Sequence, residues 1–367
     1  MPTEDSGFAG QSLCRRRILR LAFGTATALC LSQVGAWPLS FVTPVLVLML
    51  LSLPLSRPPP RFFMGVLLAL IASLYGAFAL LPLLLHQRVA GLILLSLALF
   101  HSFYRTARGG AAAVGTLITI GLTLTVAVGS VSVDALVGVA GGVSVAAVVG
   151  IAVTCLSHLL LPDPRAPADL APPVSAAVAR SDLARRDAMR AMVVVLPVAV
   201  WFLWSSTSAA NAAVMIKVAA MGQEASGNGS RSVARSLLLS TLAGGVAAVI
   251  GWQCLLVWPS LTLYTLLIAL ASLLFGTRIF QGAGLRPDGA TWSYALLTMV
   301  VILAPAVLDT QFGSAADARF YQRLLMFVWA SLYGVGAVAV FDAFCPRHPV
   351  PDESRAAPVL RDATESA

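Results

Sequence analysis

The chain has 367 residues, of which 58% are hydrophobic and 11% charged, with a mean hydropathy of +0.87. A soluble domain carries about a quarter charged residues, so the composition excludes one and points to an all-α polytopic protein of the lipid bilayer. The net charge of +8 sits in short loops between apolar runs, which argues for no nucleic-acid partner.

In chain order, residues 1–14 read as a disordered cytoplasmic tail. A first half, 15–161, holds six apolar segments at about 17–36, 39–55, 62–85, 89–104, 111–129 and 135–161. The first mimics a secretory signal, but its length and the spans that follow favour an uncleaved helix. The second is short, interrupted by Pro44 and closed by Pro54. Residues 162–188, rich in Pro, Ala, Asp and Arg, read as a cytoplasmic linker with an amphipathic turn near its end. A second half, 189–345, repeats the plan at about 189–207, 209–222, 232–257, 261–279, 291–309 and 321–344, and 346–367 is a disordered cytoplasmic tail.

Twelve transmembrane helices with both termini cytoplasmic put twenty arginines on the inner side and only Arg88, Arg319 and Arg323 outside, as the positive-inside rule requires. Arg57 and Arg61 before the third segment recur as Arg231 and Arg235 before the ninth, at a constant offset of 174. Six segments per half, both starting inside, predict two parallel six-helix repeats. Gly138, Gly141, Gly142, Gly244, Gly245 and Gly251 suggest close helix packing.

The second and eighth segments are the short ones at corresponding positions, the strongest pointer to a transport site. The eighth contains Lys217, the only lysine in the chain, with Asn211 and Gln223 as polar neighbours. A charge inside a membrane segment costs about 3 kcal/mol on insertion scales, so Lys217 is expected to hold a carboxylate or other anion. A lysine that snorkels or is paired structurally is the alternative. His101 and Arg105 lie four apart on one helix face and suit either the inner mouth of an anion path or an interfacial anchor. Asp309 and Asp342 are the candidates for proton coupling, with solvated helix ends as the alternative. Five cysteines show no CxxC, and the pairs Cys155/His158 and Cys345/His348 do not align between the halves, so no metal and no cofactor are expected. The absence of GxxxxGK[ST], HExxH and GxSxG argues against an ATPase motor or an enzyme.

The stretch RRRILRLAFGTATALCLSQVGAWPLSFVTPVLVLMLLSLP, at 15–54, and its echo RRDAMRAMVVVLPVAVWF, at 185–202, resemble the fusaric acid resistance superfamily of bacterial inner-membrane proteins. That superfamily includes aromatic carboxylic acid efflux subunits. The larger members carry a big soluble domain; here only the linker 162–188 stands in its place, so the chain looks more like a compact branch known as a domain of unknown function. The resemblance implies a multi-pass protein of the bacterial inner membrane. It implies transport, though not the substrate, beside a periplasmic membrane-fusion adaptor and an outer-membrane channel. With Lys217 as the anion site and Asp309 or Asp342 carrying protons, the leading reading is proton-coupled secondary efflux of small organic anions, aromatic or hydrophobic carboxylates. A homo-oligomer is also expected. A passive anion channel and a non-transporting scaffold subunit are the rival readings.

Overall fold

The computed structural model describes residues 3–54, 58–129, 132–163, 181–204, 212–227, 230–282, 284–309 and 315–345. They are almost entirely helical. The first six helices are α1 (Thr3–Gly35), α2 (Val42–Leu51), α3 (Pro60–His86), α4 (Arg88–Ala107), α5 (Ala112–Gly129) and α6 (Val133–Leu160). They are followed by α7 (Ser181–Trp204), α8 (Ala212–Gly227), α9 (Ser230–Val257), α10 (Leu261–Ile279), α11 (Gly289–Asp309) and α12 (Ala315–Phe344). A two-residue antiparallel hairpin, β1 (Phe280–Gln281) and β2 (Gly284–Leu285), joins α10 to α11.

Among the described residues, nine helices are long and apolar enough to cross a membrane: α1, α3, α4, α5, α6, α9, α10, α11 and α12. Their outer faces expose large apolar side chains such as Leu68, Leu97, Leu242, Leu266 and Trp329. Apolar surface on that scale belongs against lipid tails rather than water. The chain is therefore a multi-pass membrane protein.

Three boundaries differ from the sequence reading. α1 begins at Thr3, so most of the expected disordered tail 1–14 is helical; no proline interrupts the chain from residue 3 to residue 35. α7 begins at Ser181, so residues 181–188 of the expected linker are its first turns, because the linker's prolines end at Pro173. Pro44 does not interrupt α2: it is the third helical residue, where a backbone N–H has no intrahelical partner to lose.

α2 has ten residues, a length of about 15 Å against a hydrocarbon core of about 30 Å. It lies inside the bundle, with nearly every side chain buried. The connection from α1 carries Ala36 and Leu39 at φ of +47° and +52°, a conformation that costs a non-glycine residue about 1 kcal/mol or more. That connection presses against α6 at Gly142, where a Cβ would overlap the carbonyl oxygen of Pro38.

Packing within the first half recurs in the second. α1 packs on α2 and α6, α2 on α6, α3 on α4, α5 and α6, and α5 on α4 and α6; the same pairings join α7–α12 with each helix number raised by six. The halves meet by crossed contacts, α1 on α10 and α4 on α7, α5 on α8 and α2 on α11. In each half an acidic residue at or just past the end of the last helix pairs with arginines of the first. Arg20 Nη1 lies 2.9 Å from Asp163 Oδ1, with Arg17 at 3.5 Å. Asp342 pairs with Arg186 and, at 3.3 Å, with Arg190.

Candidate functional site

Two long helices run through the interior. α5 is buried without a break from Thr119 to Gly129, and α11 from Ala295 to Ala306. The threonines of α5 survive there because their hydroxyls donate back to carbonyls of the same helix, as Thr123 does to Thr119 and Thr125 to Gly121. The short helix α8 packs against both. Every α8 side chain from Ala213 to Ala225 is buried, as expected of a helix apolar nearly all round.

The three polar side chains between Ala213 and Ala225 divide between two faces. Lys217 and Glu224 are seven residues apart and share a face, two turns and about 10 Å along the axis, while Gln223 points about 120° away. Lys217 is 1% exposed, so it does not snorkel. Its Nζ donates to Thr298 Oγ1 at 2.7 Å, and that hydroxyl in turn donates to the carbonyl of Tyr294 at 2.7 Å. Thr298 stands near the middle of α11, which places the ammonium at mid-depth in the bundle. Among the described residues no carboxylate lies within ion-pair distance of it.

Glu224 is 5% exposed and interacts with Lys217 through space. Its Oε1 accepts from the Ser236 hydroxyl of α9, which lies 2.8 Å from Thr291 Oγ1 of α11. At the following residue, Arg190 Nε of α7 donates to the carbonyl of Ala225 at 2.8 Å. The Gln223 amide donates to Thr119 Oγ1 of α5 at 3.1 Å. Gly115 makes room for that amide, since a Cβ there would sit 3.0 Å from Gln223 Nε2.

The structure thus brings together Lys217 and Gln223 of the expected site and adds Glu224. The sequence reading placed this segment at about 209–222, which leaves Glu224 outside it. α8 instead continues to Gly227. The helix runs through Gly222, where a residue without a Cβ fits against Val195 and Phe103. The remaining signal in the sequence was the seven-residue spacing of Lys217 and Glu224.

His101 and Arg105 are exposed on α4 and do not reach Lys217. They line a cavity of about 560 Å³ with Ser102, Thr106, Gly115 and residues of α3. Ser102 connects that cavity to α8, lying 3.5 Å from Thr119 Oγ1, the acceptor of Gln223. Asp342, an expected coupling group, is held between Arg186 and Arg190. Asn211 and the side chain of Asp309 lie outside the described residues. Among the described residues, no cluster of His, Cys, Asp and Glu is arranged to hold a metal ion.

A family model described as a protein of unknown function (DUF2955) matches residues 17–157. The match takes in α2 to α5 and most of α1 and α6, and ends before α8. No curated protein and no solved structure matches the chain.

Proposed function

We propose that this protein is a secondary transporter that exports small organic anions, aromatic or hydrophobic carboxylates, and binds them at Lys217. The observation that carries the reading is a lysine buried at mid-depth on a short internal helix, with a neutral hydroxyl as its bonded partner. An isolated buried ammonium is costly. An anion that is apolar apart from one carboxylate matches a single cation within apolar walls, here including Met215 and Met221. The position agrees with the sites of transporters built from repeats, near mid-membrane on short or broken helices. On this reading α1–α6 and α7–α12 are parallel repeats with both termini in the cytoplasm. The cavity lined by His101 and Arg105 is the inner mouth. The resemblance to the fusaric acid resistance superfamily supports export from the bacterial inner membrane, beside an adaptor of the membrane-fusion type.

The test is uptake of labelled aromatic and aliphatic carboxylates into proteoliposomes. Benzenesulfonate is included because it stays ionised and does not cross as a neutral acid. Wild type is compared with Lys217→Gln and Lys217→Arg, with and without a pH gradient. Saturable flux that falls about tenfold or more in Lys217→Gln and persists in Lys217→Arg supports the reading. Flux that ignores the gradient moves the protein to the passive channels. No flux from folded protein leaves Lys217 as a structural charge within a scaffold subunit.

A further inference from the structure

Lys217 and Glu224 are opposite charges on one buried face of α8, and the anion-site reading leaves the carboxylate unused. We propose that Glu224 is the proton-binding group of the transport cycle, and that it takes up a proton when an anion binds at Lys217. The anion and the proton then travel together in the same direction. The proposal rests on the anion-binding reading of Lys217 and adds the identity, stoichiometry and sense of the coupling.

The argument is one of charge in a buried site. With Lys217 as ammonium and Glu224 as carboxylate, the pair is neutral overall. A monovalent anion bound at Lys217 takes over its counter-charge and leaves the site with one uncompensated negative charge. Both carboxylates are then shielded from water, and an uncompensated buried charge is strongly unfavourable. One proton on Glu224 restores neutrality: the carboxylate oxygen gains the O–H bond, and the proton comes from water on the side to which the site is open. Lys217 keeps its protons throughout. Linkage makes the effect reciprocal, so the protonated site binds the anion more tightly and the anion-loaded site binds the proton more tightly.

The surroundings leave Glu224 available for this role. Its bonded partner is the Ser236 hydroxyl, which can donate to a carboxylate or accept from a carboxylic acid. By contrast, Asp163 and Asp342 are each fixed between two arginines. The other charged and titratable groups around Glu224 come from several helices. Arg190 of α7 binds the neighbouring carbonyl of Ala225 and also holds Asp342 of α12. Tyr294 of α11 lies within electrostatic range. His101 and Arg105 of α4 and Arg235 of α9 are exposed, and α5 offers hydroxyls with no ionisable side chain. Coupling in this sense means that export runs down the anion's own gradient and carries a proton outward with it.

The experiment measures the affinity of the full-length protein in detergent for benzenesulfonate by titration calorimetry, across about two pH units either side of neutrality. This probe does not titrate in that range, so any pH dependence belongs to the protein. The wild type is expected to bind more tightly as pH falls, by at most about tenfold per unit for one linked proton. Glu224→Gln, a permanent mimic of the protonated form, is expected to bind at the wild type's low-pH affinity with no pH dependence. Lys217→Arg stays charged throughout and is expected to keep the wild-type slope. A slope retained in Glu224→Gln but abolished in Lys217→Arg would assign the titration to Lys217 and overturn the proposal. Wild-type binding with no pH dependence would overturn it while leaving the anion site standing. No binding to folded wild type would overturn the anion-site reading itself, and the coupling with it.

Discussion

Thr298 gives the Lys217 ammonium its one bonded oxygen among the described residues. An ammonium has three protons to donate, so the site holds more donor capacity than this hydroxyl uses. Thr298→Val keeps the shape and removes the acceptor. Loss of a hydrogen bond to a buried charge costs about 1–3 kcal/mol, and the expected result is a lower thermal midpoint in detergent. If Lys217 is an anion site, saturating benzenesulfonate should restore more stability to the variant than it adds to wild type, because it supplies the missing oxygen. Equal stabilisation of both proteins would count against direct contact between the anion and Lys217. At this scale the lysine was legible in the sequence, since a lone cation in an apolar run stands out by composition alone. Glu224 was not, because its meaning depends on whether α8 continues past Gly222. That depends on Val195 and Phe103, which come from α7 and α4.

The glycines decide how closely the helices approach, and the sequence treats them alike while the packing does not. Gly244 of α9 lies against α11 so closely that a Cβ would overlap the carbonyl oxygen of Ala295. Around Gly138 of α6 there is open space within 4 Å. Gly244→Ala must push α9 away from α11, the helix that carries both Thr291 and Thr298. It is therefore expected to lower the thermal midpoint and weaken benzenesulfonate binding together. Gly138→Ala meets nothing and gains helix propensity, worth up to about 1 kcal/mol, so a neutral or raised midpoint is expected with binding unchanged. Circular dichroism melts and calorimetry on the two variants check both. If Gly244→Ala leaves both measurements at wild-type values, close approach of α9 and α11 is not what sets the site. A spacing of small residues shows that close packing is affordable; only the facing helix shows where it occurs. For the same reason α5 and α11 were not recognisable as the central helices. A helix buried among other helices and one bathed in lipid carry the same hydropathy.

At the scale of the whole molecule, the recurring pairings of α1–α6 in α7–α12 make a prediction that neither half makes alone. Arg17 and Arg20 with Asp163, and Arg186 and Arg190 with Asp342, each bind the first helix of a half to the end of its last. The basic clusters were visible as inner-side arginines, but their acidic partners were not. Asp163 lies in a segment that reads as linker, and Asp342 reads as a solvated helix end or a coupling group. If the halves are equivalent, Asp163→Asn and Asp342→Asn should lower the thermal midpoint to a similar extent. Each removes a counter-charge from buried guanidinium groups, a loss of up to about 3–5 kcal/mol for a broken buried pair, and Asp187, 3.6 Å from both Arg186 and Arg190, offsets part of it in the second half. Removing one arginine of each cluster as well, with Arg20→Gln in the first case and Arg190→Gln in the second, should recover part of that loss. The pH dependence of benzenesulfonate binding should survive in Asp342→Asn, because the coupling proton is assigned to Glu224. Loss of that dependence in Asp342→Asn, with the protein still folded, would return Asp342 to the proton path. A destabilisation confined to one half would mean that the two clusters share a position in the fold without sharing a role.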